Sequence, residues 1–356
     1  NGTRIQRFAE MNDLVVVMPS GENSFYVDMP NGSDNYGDFI GRELVELTRK
    51  IFPLSHKRED TFIGGLSMGG YGAIRNGLKY HDTFGYIIGL SSALITEDMA
   101  KVSKSVIKHL GLPISKISSW GIGMPSYINP KTGLLVHANC FGWKNLDIYS
   151  YLQKHSSLPI YIENDANCAA LGEVLAGAGK GYHDVLMLTL GTGLGGGIIL
   201  NKKIYAGADM MGAELGHTKL CYHGSSCTCG QLGCAEAYCS ATALIRQAKE
   251  ALQGNESSVM YELCGKNPEQ LNAKMVVDAY KMGDQVAQNV FLQYVDYLSC
   301  AMSSFIVIFR PEIIILGGGV SNAGDTLLLP LKKKVMENTY AADVIGVPEI
   351  RLAECG

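Results

Sequence analysis

The chain has 356 residues, 47% of them apolar and 18% charged, with a formal net charge of -4. That length allows two or three domains, each burying a core, and the composition is globular rather than disordered. The charge balance and the absence of a long basic run exclude a dedicated nucleic-acid binder, and no apolar run approaches the roughly 18 to 20 residues of a membrane span.

The N-terminal NGTRIQRFAEMNDL is not a signal peptide, and the first residue is not Met, as expected of a fragment or a processed piece. Cys140, Cys168, Cys264, Cys300 and Cys355 are scattered, whereas Cys221, Cys227, Cys229, Cys234 and Cys239 cluster. Scattered thiols plus one metal-like group fit a reducing, cytoplasmic location rather than a disulfide framework.

Leu14–Met18 is an apolar run ended by Pro19-Ser-Gly and predicts a buried strand. Helical spacing of Phe39, Ile40, Leu44, Leu47 and Ile51 predicts a helix over 38–52. Thr61–Gly65 predicts a second strand, 70–80 a helix and Phe84–Leu90 a third strand. Strands alternating with helices imply a parallel sheet. Between strand and helix lies Gly65-Leu-Ser67-Met-Gly69, the G-x-S-x-G pattern in which a sharp turn exposes a strained serine. An ordinary glycine turn is the alternative.

The segments MPSGENSFYVDMPNG and DFIGRELVELTRKIFPLSHKREDTFIGGLSMGGYGAI resemble an α/β-hydrolase of the esterase D or S-formylglutathione hydrolase type, over about residues 10–95. The resemblance implies Ser67 as nucleophile. It also demands an oxyanion loop, and an acid and a histidine base after the serine. The likeness ends near Ser92, before these could appear, and His56 and His81 do not stand where the base belongs. Ser67 is therefore a nucleophile without its activating partners.

Met99–Leu110 predicts a helix, Ile117–Met124 a strand and Leu158–Ile162 another, ending in Glu163-Asn164-Asp165-Ala166-Asn167 and a helix over 169–177. A carboxylate at the carboxyl end of a strand is placed to take a proton from a bound hydroxyl. Asp165 serves either that role or helix capping. Val185–Leu190 predicts a strand, followed by Gly191-Thr192-Gly193-Leu194-Gly195-Gly196-Gly197 and a strand over 198–205. A strand after the glycines excludes the dinucleotide fingerprint, which needs a helix there. A glycine hairpin can still aim backbone N–H groups at phosphates, or it is a plain tight turn.

The stretch 212–236, GAELGHTKLCYHGSSCTCGQLGCAE, carries Glu214, His217, Cys227, Cys229, Cys234 and Glu236. Three thiols and an imidazole can close a tetrahedral zinc site. The metal then staples a loop that presents the two glutamates. Long helical patterns follow over 236–254 and 272–309, then a strand Ile313–Leu316 running into Gly317-Gly318-Gly319-Val-Ser321, and a last strand over 350–353. Gly317–Gly319 allows backbone to approach a flat ligand such as adenine, or forms a simple turn.

The runs GIGMP, ENDANCAALGE, LTLGTGLGGGIIL, GAELGH, CTCGQLGCAE and ILGGGVS resemble the ROK family of sugar kinases, most closely its glucokinases, over about residues 100–356. The resemblance implies an α/β, two-lobed actin-like ATPase fold with sugar and ATP in the cleft. It implies ATP-dependent phosphorylation of a glucose-like hexose, with Asp165 as base, magnesium accompanying ATP, and a homodimer. Asn164, Asp165, Glu214, His217 and Glu236 would bind sugar hydroxyls, and His217, Cys227, Cys229 and Cys234 a structural zinc. Gly191, Thr192, Gly193, Gly195 and Gly196 would bind phosphates, and Gly317, Gly318 and Gly319 would lie at the adenosine. Cys221 and Cys239 fall outside the matching spacing and read as core or free thiols.

The family's opening D-x-G-G-T hairpin, which grips phosphates, has no counterpart here, and the hydrolase-like segment fills its place. Ser126 stands where the family usually has glycine, and the chain stops short of the usual last helix. We therefore expect a partial hydrolase segment over 1–98 joined to a kinase region over 99–356, with 99–168 a remnant of the N-terminal lobe and 169–356 the C-terminal lobe. A fused reading frame explains this join, whereas a bifunctional protein fits less well because each half lacks parts. The competing functions are a carboxylesterase using Ser67 and a non-catalytic, zinc-stapled sugar-binding module. A repressor of the same family is disfavoured, because residues 1–98 do not read as a helix-turn-helix. Neither nucleic acid nor membrane is an expected partner.

Overall fold

The structure is a computed structural model that describes residues 15–19, 26, 35–66, 72–73, 76–77, 79–80, 82–90, 120–129, 132–138, 143–153 and 159–355. These divide into two units, one within residues 4–165 and one from Ala166 onward. The predicted helix over 99–110 and the Ser67 turn lie outside the described residues.

In the first unit, Val15–Met18 belongs to no strand and is exposed, Met18 by 67%. An apolar run becomes a strand only where a neighbour supplies its ladder, and no described strand does so. The helical stretch that begins at Tyr36 passes through a π-turn at Phe39–Glu43 into α1 (Leu44–Ile51). β1 (Phe62–Leu66) and β2 (Tyr86–Leu90) pair in parallel, as the alternating pattern predicts.

β3 (Trp120–Met124) is followed by a meander that the sequence reading missed: β4 (Tyr127–Asn129), β5 (Leu134–Ala138) and β6 (Trp143–Leu146), all antiparallel. α2 (Ile148–Gln153) follows, and then β7 (Ile160–Asn164) pairs in parallel with β3, placing Asn164 opposite Met124. Met124, Ile128, Leu135, Ile148, Ile160 and Ile162 form one buried cluster. Ser126, where glycine was expected, is buried with no partner for its hydroxyl among the described residues.

α3 (Asp165–Ala176) crosses from the first unit into the second. The second unit is built on a sheet of β8 (Val185–Leu190), β9 (Leu194–Leu200), β10 (Lys203–Ile204), β11 (Ile313–Gly317) and β12 (Glu349–Leu352), in the order β10-β9-β8-β11-β12. β8, β11 and β12 are parallel; β9 and β10 are antiparallel additions. Side-chain alternation splits the sheet cleanly. Val185, Met187, Ile313 and Ile315 pack with Ala170 and Val174 of α3. Leu186, Leu188, Ile314 and Leu316 join the main helical core.

β9 starts four residues earlier than predicted and runs through the glycines themselves. Its turn is Asn201-Lys202, both at positive φ (51° and 63°), the form that closes a two-residue hairpin. The predicted helix over 236–254 breaks at Ser240 into α4 (Glu236–Cys239) and α5 (Ala241–Leu252). The Ser240 hydroxyl accepts the Ala243 N–H and caps the second piece. α6 (Val259–Leu263) was not foreseen. The predicted helix over 272–309 likewise divides into α7 (Ala273–Lys281) and α8 (Gln285–Phe309), at Gly283 with φ 84° and the capping Asp284. α9 (Asp325–Asn338) and α10 (Ala342–Ile345) complete the layer.

Contrary to the sequence reading, α8 is long and apolar enough, by length and composition, to cross a membrane. Its buried residues Phe291, Tyr294, Leu298, Met302 and Phe305 make it the central helix of this core.

Glu173 of α3 is 1% exposed, and its carboxylate accepts N–H groups from Ala178 (2.8 Å), Glu354 (2.8 Å) and Cys355 (2.6 Å). A buried carboxylate is tolerated only with such donors. Glu173→Ala leaves those donors without it, and we expect urea denaturation to show a loss of about 2–4 kcal/mol.

Candidate functional site

The loop between β10 and α4 has little regular structure, so its shape must come from specific ties. His217 ends a 3₁₀ turn over Leu215–His217. Backbone bridges pair Lys219 with Cys234 and Ser226 with Leu232, folding the loop back on itself. The ligand atoms of His217, Cys227, Cys229 and Cys234 all lie within 4.8 Å of one another. The Cys227 Sγ stands 3.7 Å from His217 Nδ1, and Cys229 Sγ 3.8 Å from Cys234 Sγ. Tetrahedral bonds of about 2.3 Å to sulfur and about 2.0 Å to nitrogen put donor atoms about 3.5–3.8 Å apart, so this group fits a four-coordinate zinc. His217 turns Nδ1 to the cluster, which leaves Nε2 for another partner.

Burial pushes the Cys227 thiol up to about 12. Burial also acts on Cys229, but hydrogen bonds from the Gln231 backbone and from the Cys227 and Cys234 thiols outweigh it and hold that thiol below its ordinary value. A buried thiol of this kind ionises readily only against a cation. The Lys219 ammonium, 3.5 Å from Cys234 Sγ, is one such charge.

Glu236 begins α4 and links this loop to the glycine turn. Its Oε1 accepts the Thr228 hydroxyl at 2.9 Å and the Cys227 thiol at 3.5 Å, and its Oε2 accepts the Leu194 N–H at 3.1 Å. A Cβ on residue 193 would meet Oε2, so a larger residue there would have to displace the Glu236 carboxylate. Glu214 is half-buried and precedes the 3₁₀ turn. Thr228 and Tyr238 were missed in the sequence. The Tyr238 hydroxyl accepts the Ser225 N–H at 2.6 Å and pins the loop to its helix. Only the position of Thr228 between two cysteines could have signalled its part.

The glycines divide into two kinds. A Cβ at Gly196 would come 2.7 Å from the Leu215 side chain, one at Gly197 2.6 Å from the Ala166 carbonyl, and one at Gly318 2.7 Å from the Leu190 backbone. Gly195 faces the Thr189 hydroxyl in the same way, whereas Gly317 meets only the movable end of the Met187 side chain. The first four are small because neighbours crowd them. Gly191 and Gly319 meet nothing within 4 Å, and so offer open backbone. Thr192, between Gly191 and Gly193, is exposed.

Asn164 ends β7 and Asp165 begins α3, at the carboxyl end of a parallel strand; both belong to the first unit or its boundary. The other predicted ligands belong to the second unit, where His217, Cys227, Cys229, Cys234, Glu236 and Gly193 come together.

A model of the ROK family matches residues 92–355, and the chain belongs to that family. An esterase family model matches residues 4–121. The glucokinase of Thermotoga maritima is 41% identical over 241 residues, covering 66% of this chain and 76% of its own. The xylose repressor of Caldicellulosiruptor bescii is 31% identical over 68% of this chain and 60% of its own. An acetyl esterase of Caldicellulosiruptor saccharolyticus is 53% identical over 103 residues, which are 29% of this chain and 39% of that protein. The crystal structure of a ROK family glucokinase from Streptomyces griseus, in complex with glucose and AMPPNP, superposes with a TM-score of 0.66 at 30% identity, covering 74% of this chain and 83% of that one. The fold is thus the actin-like ATPase fold of that family, preceded by an esterase-like segment.

The two kinds of glycine are separable by stability. Gly196→Ala forces Leu215 aside and should cost about 1–3 kcal/mol in chemical denaturation. Gly191→Ala has open space and should stay within about 0.5 kcal/mol of wild type. Equal losses at both positions would contradict the division.

Proposed function

We propose that the chain is an ATP-dependent kinase of a glucose-like hexose, with phosphoryl transfer weakened by the missing D-x-G-G-T hairpin. The observation that carries this reading is the Glu236 carboxylate, shared between the metal loop and the N–H that follows the Gly191–Gly193 turn. One residue thus ties a polyhydroxyl-binding wall to a phosphate-binding turn. The glucokinase relatives support the same reading.

In it, Asp165 takes the proton from the attacking sugar hydroxyl. Asn164, Glu214, His217 and Glu236 hold the other hydroxyls, His217 through the ring nitrogen not turned to the cysteines. The N–H groups around Gly191–Gly196 receive phosphate oxygens, and the backbone at Gly317–Gly319 receives the adenosine. Magnesium, bound with ATP, would neutralise phosphate charge. His217, Cys227, Cys229 and Cys234 would hold a structural zinc, whose part is to fix the loop. The xylose repressor relative supports a second reading, sugar binding without turnover.

Glucose should raise the melting temperature more than Mg-ATP does, and no shift with any hexose would remove the sugar site. In a coupled phosphorylation assay, Asp165→Asn should lower kcat by about 10²–10⁴ while keeping the glucose shift. A wild-type protein that shifts with glucose but shows no turnover supports the binding-only reading. Elemental analysis should find one zinc per chain, and Cys229→Ser should lose it and melt at a lower temperature.

A further inference from the structure

We propose that Thr242 is a positioning residue for the nucleotide, an inference that rests on the reading of Gly191–Gly193 as a phosphate turn. Thr242 is the second residue of α5, and its side chain is exposed. A threonine there has solvent for its hydroxyl and needs no protein partner. It instead donates to the Thr192 carbonyl at 2.8 Å, fifty residues back in the chain. Next to it, the Ala241 N–H donates to the Gly191 carbonyl, also at 2.8 Å.

The consequence follows from the trans peptide, in which C=O and N–H point in opposite directions across one plane. Holding the Gly191 carbonyl toward α5 aims the Thr192 N–H away from α5. Holding the Thr192 carbonyl likewise aims the Gly193 N–H away. Neither of these N–H groups has a partner among the described residues. Successive amides aimed to one side from a turn form an anion-binding concavity. The Gly191 N–H closes on the Gly193 carbonyl at 3.1 Å and keeps the turn tight. The Ala241 bond is backbone and persists in any variant, but the Thr242 bond is a side-chain choice. Without it the Thr192–Gly193 peptide can rotate, and the Gly193 N–H loses its aim.

The test is isothermal titration of the full chain with Mg-AMPPNP and, separately, with glucose. Thr242→Val keeps the shape and removes the donor, whereas Thr242→Ser keeps the donor. Thr242→Val should weaken Mg-AMPPNP binding about two- to tenfold, the range of one hydrogen bond. Thr242→Ser should restore it, and both variants should bind glucose as wild type and melt as wild type. Unchanged nucleotide affinity in Thr242→Val overturns the inference. So does a parallel loss of glucose affinity and melting temperature, which marks a merely structural bond. If wild type itself binds no Mg-AMPPNP, the phosphate reading of the turn fails and this inference with it.

Discussion

The Glu236 carboxylate is the constraint on which the site depends. It accepts from Thr228 and Cys227 on one oxygen and from Leu194 on the other. A carboxylate with charge-assisted bonds on both oxygens is held in one rotamer, and the groups that donate to it are held as well. The loop that carries the cysteines and the strand that carries the glycines therefore cannot move independently at this point. In the proposed reading, a sugar hydroxyl that reaches Glu236 would share it with these donors, and its occupancy would bear directly on the backbone that follows the Gly191–Gly193 turn.

Crowding also explains why glycines stand in β9 and at the end of β11. Read from the sequence, GTGLGGG is a single phosphate-loop signal. In the fold, Gly195, Gly196 and Gly197 let Thr189, Leu215 and α3 approach β9, and Gly318 lets the chain pass against Leu190. Packing alone accounts for these. Gly191 and Gly319 have open space, and a functional explanation is needed only for them. A run of glycine thus mixes two physical causes that no spacing pattern separates.

Other features were legible because their signal is local. The Cys/His cluster needs only thiols and an imidazole at short separation, and the buried strands β8 and β11 are continuous apolar runs bounded by turns. The break at Ser240 was also local, a serine cap inside a helical pattern, but the apolar periodicity on either side masked it. The β4–β6 meander was missed because its strands are short and half-polar, so that pairing rather than composition defines them. The exposed run Val15–Met18 is the converse case, with a strand's composition but no described partner. Glu173 could not have been placed from sequence, since its donors at Glu354 and Cys355 lie some 180 residues away.

The loop from Gly207 to Ala235 shows why a metal suits this side of the molecule. It is long for a connection with so little secondary structure, and such loops need ties beyond a core. Leu215 and the cysteines supply most of its burial, while Tyr222 is 92% exposed and Leu232 44%. That apolar burial is small beside the entropy of ordering some thirty residues. Hydrogen bonds accepted by Tyr238 and Glu236 fix two points, and four metal bonds would fix a third. That third point includes Cys227, whose thiol already touches Glu236. The cysteine loop, the shared glutamate and the glycine turn therefore behave as one mechanical element at the edge of the main core, which takes in Leu215 and Ala235.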